Sequence, residues 1–161
     1  MLFRSEESDV NIGAIVMGRN MFGGGPGPWG DDPWRGWWGE NPPFHMPVVV
    51  LTHHARDPLE MLGGTTFTFV TGGPAAALER ARWEADGKDV AVSGGAGVAK
   101  QYLAAGLIDS FEIHLVPVLL GGGVRLFDDP HAASVQYDQA QVVEAPGVTH
   151  ITYRRNHREG P

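Results

Sequence analysis

An α/β fold, a mixed and mostly parallel sheet flanked by helices with an antiparallel C-terminal edge, is predicted by three features of the 161-residue sequence. Short, continuously apolar runs recur, as in strands that helices cover on both faces. Between them lie stretches of good helix formers that follow Gly or Pro and stop at Gly. Near the C-terminus, two β-rich segments flank Pro146-Gly147, the pattern of an antiparallel pair.

The first strand is Gly13-Ala14-Ile15-Val16-Met17, stopped by Gly18-Arg19-Asn20, and Pro47-Val48-Val49-Val50-Leu51 repeats the pattern up to Thr52. Residues 65–70 are β-branched and aromatic and end at Gly72-Gly73. Pro74 suits a first helical position, and Leu78, Ala81 and Ala85 form a buried stripe over a helix at 75–85. Asp89-Val90-Ala91-Val92 is the next strand, followed by Ser93-Gly94-Gly95-Ala96-Gly97 and a helix from Val98 to Ala105 that stops at Gly106. Residues 111–116 make another strand, and Gln141-Val142-Val143 and residues 148–153 form the terminal pair.

The length suits one domain spanning 1–161, with a polar lead-in over 1–12 and a Gly/Pro/Trp-rich loop over 23–45. Hydrophobic residues at 42% and charged residues at 19% describe a globular chain. The formal charge of −7 argues against a nucleic-acid partner, which would require a basic face. With no cysteine, disulfides, thiolate metal sites and cysteine nucleophiles are excluded. No apolar run approaches the roughly 18 residues of a membrane helix. The start is acidic where a signal peptide requires an apolar stretch, so a cytoplasmic location is expected.

Ligands of open α/β sheets bind outside the carboxyl ends of the strands. Two such ends carry glycines. Ser93-Gly94-Gly95-Ala96-Gly97 leads into a helix, where backbone N–H groups and the helix start favour an anion. Gly18-Arg19-Asn20 adds a guanidinium able to pair with a phosphate. Neither segment completes the dinucleotide or P-loop fingerprint, and tight strand-to-helix turns would account for each glycine pair taken singly. Together with Arg19, they favour anion binding.

This order of segments resembles the dihydrofolate reductase-like superfamily. Within it, the chain is most similar to the reductase domain of the bifunctional riboflavin-biosynthesis deaminase-reductase and its stand-alone relatives. Three segments carry the likeness: residues 15–22, residues 92–98, and residues 107–127 with Leu115-Val116-Pro117-Val118-Leu119-Leu120-Gly121-Gly122-Gly123 at their centre. The resemblance implies NADPH as hydride donor, a small heterocyclic or ribosylamino-pyrimidine-like (riboflavin-pathway or pterin-like) substrate, and a homodimer. It places Gly18, Arg19 and Asn20 at the phosphates and Leu51 and Thr52 beside the adenine ribose. His53, with its neighbour His54, would face a 2′-phosphate, and Ser93, Gly94, Gly95, Ala96, Gly97 and Val98 would lie under the pyrophosphate. Relatives begin with a central strand and an Asp-Gly loop that this sequence lacks before Gly13. The alternatives are therefore a nucleotide-binding relative without turnover and an N-terminally truncated fragment.

Four tryptophans, Trp29, Trp34, Trp37 and Trp38, crowd the loop at 23–45. They either close over a flat substrate, with Trp37 and Trp38 as the lid, or cap a core edge. The seven histidines show no H-x-x-x-H or H-E-x-x-H spacing, so no metal is expected. His114 shares a strand face with Glu112 and Val116, opposite Phe111, Ile113 and Leu115. Ser93-Gly94-Gly95 is not a nucleophile elbow, Asp109 and Asp128-Asp129-Pro130 read as turns, and no residue is assigned as a general acid.

Overall fold

A computed structural model describes residues 11–31, 33–128 and 135–156. Most of the polar lead-in at 1–12 lies outside the described residues, as do Asp32, Asp129, Pro130, His131 and His157. The chain divides into two compact units, Met1–Val98 and Ala99–Pro161.

The first unit is built on a five-stranded sheet: β1 (Ile12–Gly18), β2 (Pro47–Leu51), β3 (Leu59–Glu60), β4 (Thr66–Val70) and β5 (Asp89–Val92), in the order β3-β4-β2-β1-β5. β1 pairs in parallel with β2 and β5, and β2 pairs in parallel with β4. Only β3 runs antiparallel. Two residues are too few to leave a pattern, and the sequence gives no sign of β3. α1 (Arg19–Phe22) follows β1 directly, and α2 (Gly73–Glu84) crosses from β4 to β5.

Parallel strands covered on both faces need apolar residues at successive positions. Accordingly Ala14 to Met17 and Val48 to Val50 are all buried. α2 contributes the expected stripe of Leu78, Ala81 and the following Ala85, with Ala77 beside them, all buried. The core cluster joins Ile15, Met17, Phe22, Phe44, Val48, Val50, Leu59 and Phe67.

α3 (Ala96–Ala104) crosses the boundary between the units and starts two residues before the expected Val98. In the second unit, β6 (Ser110–Leu115), β7 (Tyr137–Ala145) and β8 (Val148–Arg155) form a three-stranded antiparallel sheet in the order β6-β8-β7. The antiparallel C-terminal strands are thus present, hydrogen-bonded to one another as a sheet of their own. β7 begins earlier than Gln141 because its exposed Asp138 and Gln139 continue the ladder without an apolar signal. Phe111, Tyr137 and Tyr153 cluster on this sheet, with ring centroids 4.9 and 5.1 Å from Phe111.

Candidate functional site

The register of the parallel sheet brings three strand ends side by side. Gly18 lies opposite Leu51, and Val16 opposite Val92. Past the end of β5, Ser93 N donates to Val16 O at 2.8 Å and Gly18 N donates to Gly94 O at 2.8 Å. The two glycine turns singled out in the sequence are therefore in direct contact. A Cβ on Gly18 would stand 2.7 Å from Val98 Cγ2, so only glycine permits this approach. Gly94 takes φ +98, and space is open where Gly95 and Gly97 lack a side chain. Ala96 then begins α3, with Val98 N donating to Gly95 O at 3.0 Å.

At the end of β2, Leu51 is half-buried and Thr52 is buried. Thr52 Oγ1 accepts from His54 N at 3.2 Å and from Arg19 Nη1 at 3.4 Å. His53 is exposed, and its imidazole makes no hydrogen bond or ion pair among the described residues.

Arg19 is the hub. Its Nε donates to Gly23 O at 3.2 Å and its Nη2 to Gly24 O at 3.4 Å. Its Cζ lies 3.2 Å from the centroid of the Trp29 ring. Arg56 sits over the same ring at 4.8 Å and donates to Trp34 O. Burial lowers the pKa of both guanidinium groups, and for Arg56 the charges of Arg35 and Arg19 lower it further. Guanidinium nevertheless stays charged in proteins. Among the described residues, none of these three arginines pairs with a carboxylate. An anion bound here would offset both their desolvation and their mutual repulsion.

Beside Arg19 opens a cavity of about 510 Å³ lined by Arg19, Asn20, Gly23, Gly24, Gly25, Pro26, Trp34 and Trp37. This volume is in the range of small-molecule sites. Trp34 and Trp37 meet edge to face at 4.7 Å, and Trp34 Nε1 is held by Phe22 O at 2.8 Å. Trp37 remains 67% exposed, so its face is available to a ligand. Among the described residues, the lining contains no carboxylate, imidazole or hydroxyl that could donate a proton.

The four tryptophans divide between the two expected roles. Trp34 and Trp37 line the cavity, whereas Trp38 does not. Trp38 stacks on Phe67 at 5.9 Å and meets Phe44 edge to face at 4.9 Å, so its placement in a lid is corrected to a core cap. Trp29 packs on Phe22 and Phe69 and donates from Nε1 to His54 O at 3.0 Å. The sequence reading missed Arg35 and Arg56. Arg56 stands four residues past Thr52, the only local sign that it belongs to the same strand end.

A phosphate-bearing dinucleotide fits these residues. Guanidinium groups without a carboxylate partner among the described residues stand beside the Gly18 turn, side-chain-free backbone lies next to it, and aromatic rings stand where a flat ring could lie. In the second unit, the structure also gathers Glu112, His114 and His150, although the absence of a histidine motif had predicted no metal site. His150 reaches this group through strand pairing across 36 residues, which no local spacing reveals.

The family profile of the RibD C-terminal domain matches residues 5–151. Among solved structures, a protein assigned to riboflavin biosynthesis in Shewanella sp. PV-4 is 22% identical, with a TM-score of 0.64 over 97% of this chain and 85% of that one. RibD of Acinetobacter baumannii is 17% identical with a TM-score of 0.56 over 90% of this chain, which spans about half (47%) of the RibD chain. A pyrimidine reductase-like protein of Corynebacterium diphtheriae is 13% identical with a TM-score of 0.53, covering 91% of this chain and 77% of that one. The comparison with curated proteins gave no match. The likenesses to solved structures establish the fold, and the match of one profile across both units establishes descent: the chain belongs to the RibD C-terminal domain family, a reductase-like family.

Proposed function

We propose that this chain is an NADPH-dependent reductase acting on a small ribosylamino-pyrimidine-like heterocycle of the riboflavin pathway. The carrying observation is Arg19, stacked on Trp29 and backed by Arg56, without a carboxylate partner among the described residues, where three strand ends converge. A chain of formal charge −7 that leaves arginines unneutralised at one point favours an anionic ligand there. When bound, NADPH supplies the hydride. Gly18, Arg19 and Asn20 hold its phosphates, Leu51 and Thr52 flank the ribose, and His53 faces the 2′-phosphate. Ser93, Gly94, Gly95, Ala96, Gly97 and Val98 form the bed of the pyrophosphate.

Trp37, meeting Trp34 edge to face, provides an exposed aromatic face for the heterocycle. The substrate's proton comes from water in this reading, since the described residues of the lining include no donor. Both units belong to one reductase domain in this reading, as the single family profile supports. The chain works in the cytoplasm as a homodimer. No helix of the described residues is long and apolar enough to cross a membrane. The exposed run Val118, Leu119 and Leu120 offers apolar surface to a second copy.

The test is NADPH consumption by the purified chain with a ribosylaminopyrimidine substrate. Oxidation in step with substrate reduction supports the reading. Arg19→Ala should weaken NADPH by about tenfold or more, the value of a hydrogen bond to a charged group. An equal loss for NADH removes Arg19 from the 2′-phosphate. The absence of a proton donor among the described lining residues favours a second reading, a nucleotide-binding relative without turnover. Stoichiometric binding without NADPH consumption would decide for it.

A further inference from the structure

We propose that Glu112, His114 and His150 form a surface site for a divalent transition-metal ion of the Zn²⁺ class, carried by the antiparallel sheet of the second unit. The site uses none of the residues assigned to the cofactor and substrate.

Strand pairing assembles the group. His114 on β6 is directly opposite His150 on β8, and Glu112 lies two residues before His114 on the same face. The six-residue ladder from Ser110 to Leu115 fixes that register. The ligands therefore need little backbone ordering on binding, which favours affinity.

Distances support the same conclusion. His150 Nδ1 is 3.3 Å and His114 Nδ1 is 3.6 Å from Glu112 Oε1. The two Nδ1 atoms are 2.7 Å apart, with the rings near perpendicular at 81°. A tetrahedral Zn²⁺ with bonds of about 2.0–2.1 Å separates its ligand atoms by roughly 3.3–3.4 Å. Both histidine–carboxylate separations already approach this value. Only the histidine pair must open, by about 0.6–0.7 Å, which small ring rotations supply.

The chemistry of the donors agrees. When both imidazoles are neutral, the facing Nδ1 atoms share a single proton, one donating and the other accepting. An ion between them would engage both nitrogen lone pairs and the carboxylate charge together. Two imidazoles and one carboxylate suit Zn²⁺, Co²⁺ or Ni²⁺ rather than Mg²⁺ or Ca²⁺, which prefer all-oxygen shells. The side chains of His114, His150 and Glu112 are 39%, 24% and 28% exposed. Solvent can therefore complete the coordination shell, as it does in three-ligand zinc sites.

The test is calorimetric titration of the full chain with Zn²⁺ at neutral pH, alongside the visible spectrum of the Co²⁺ form. One equivalent binding at micromolar concentration or tighter, with the intense d–d bands of tetrahedral Co²⁺, is expected. His150→Gln and His114→Gln should each weaken Zn²⁺ at least tenfold and abolish those bands, while His53→Ala leaves both intact. Circular dichroism checks that each variant is folded. Zn²⁺ should also raise the melting temperature of the wild type and not that of Glu112→Gln/His150→Gln. Absence of saturable binding by the folded wild-type chain, or wild-type affinity retained in both His114→Gln and His150→Gln, would overturn the site.

Discussion

The two units treat apolar surface in opposite ways. In the first, β1 and β2 are buried on both faces, and Phe22, Phe67, Val48, Val49 and Val50 are fully enclosed. In the second, Tyr102 and Leu103 are the buried large side chains among the described residues. Leu115, Val116, Val118, Leu119, Leu120, Val124 and Phe127 are all more than half exposed. A sheet wrapped by α2 and the tryptophan loop makes its own core. An antiparallel sheet can leave one face to solvent or to a partner. The first unit can therefore position a cofactor rigidly, whereas the second offers faces for binding, among them the Glu112–His114–His150 face.

Truncations should separate the units by magnitude. Phe67→Ala, at the centre of the aromatic cluster, should cost about 3–5 kcal/mol in denaturant unfolding. A loss below about 1 kcal/mol would mean that the first unit is not the main core. Within the loop, Trp38→Ala should cost about 2–3 kcal/mol because it removes rings packed on Phe44 and Phe67. Trp37→Ala should leave stability within about 0.5 kcal/mol and weaken the heterocyclic substrate. The reverse pattern would return Trp38 to the cavity.

The second unit's buried anchor should show itself in alkali. Burial pushes the Tyr102 phenol up from 10.0 to about 12, because the fold disfavours its anion. Its contribution is complete below pH 10 and is lost as the pH rises from 10 towards about 12, amounting to roughly 2–3 kcal/mol. Unfolding curves across that interval should show this fall, and Tyr102→Phe should flatten it. At the small end, Leu119→Ser should change unfolding of the isolated chain by no more than about 0.5 kcal/mol. Sedimentation should show weaker association for the same variant if that run faces a second copy.

The legibility of the sequence follows the same division. Fully buried parallel strands carry a continuous apolar signal, so residues 13–17 and 47–51 located β1 and β2 within a residue or two. Gly18 and the glycines at 94, 95 and 97 marked the strand ends, with Gly18 pressed against Val98 and Gly94 at positive φ. β7 was only partly visible, since an exposed strand of Asp138, Gln139 and Gln141 lacks alternation. β3 was invisible for its shortness. Arg19 and Trp37, named from a local strand-and-loop context, line one cavity. Arg35, Arg56 and His150 were not legible, because folding brings them to their partners from distant parts of the chain. Trp38 was misplaced because adjacent tryptophans do not reveal which ring turns inward. Leu115, set with Phe111 and Ile113 by alternation, is 56% exposed at the end of β6, where the sheet no longer covers it.

The central claim is that the convergence of β1, β2 and β5 around Arg19 forms a phosphate-selective dinucleotide site. Titration of the folded wild-type chain with NADPH and with NADH, read by tryptophan fluorescence, tests it most directly. Trp29, Trp34 and Trp37 stand at Arg19 or in the cavity and should report binding there. Saturable quenching with NADPH preferred by at least about tenfold is the predicted result. No quenching by either nucleotide, or equal affinity for the two, would contradict the account.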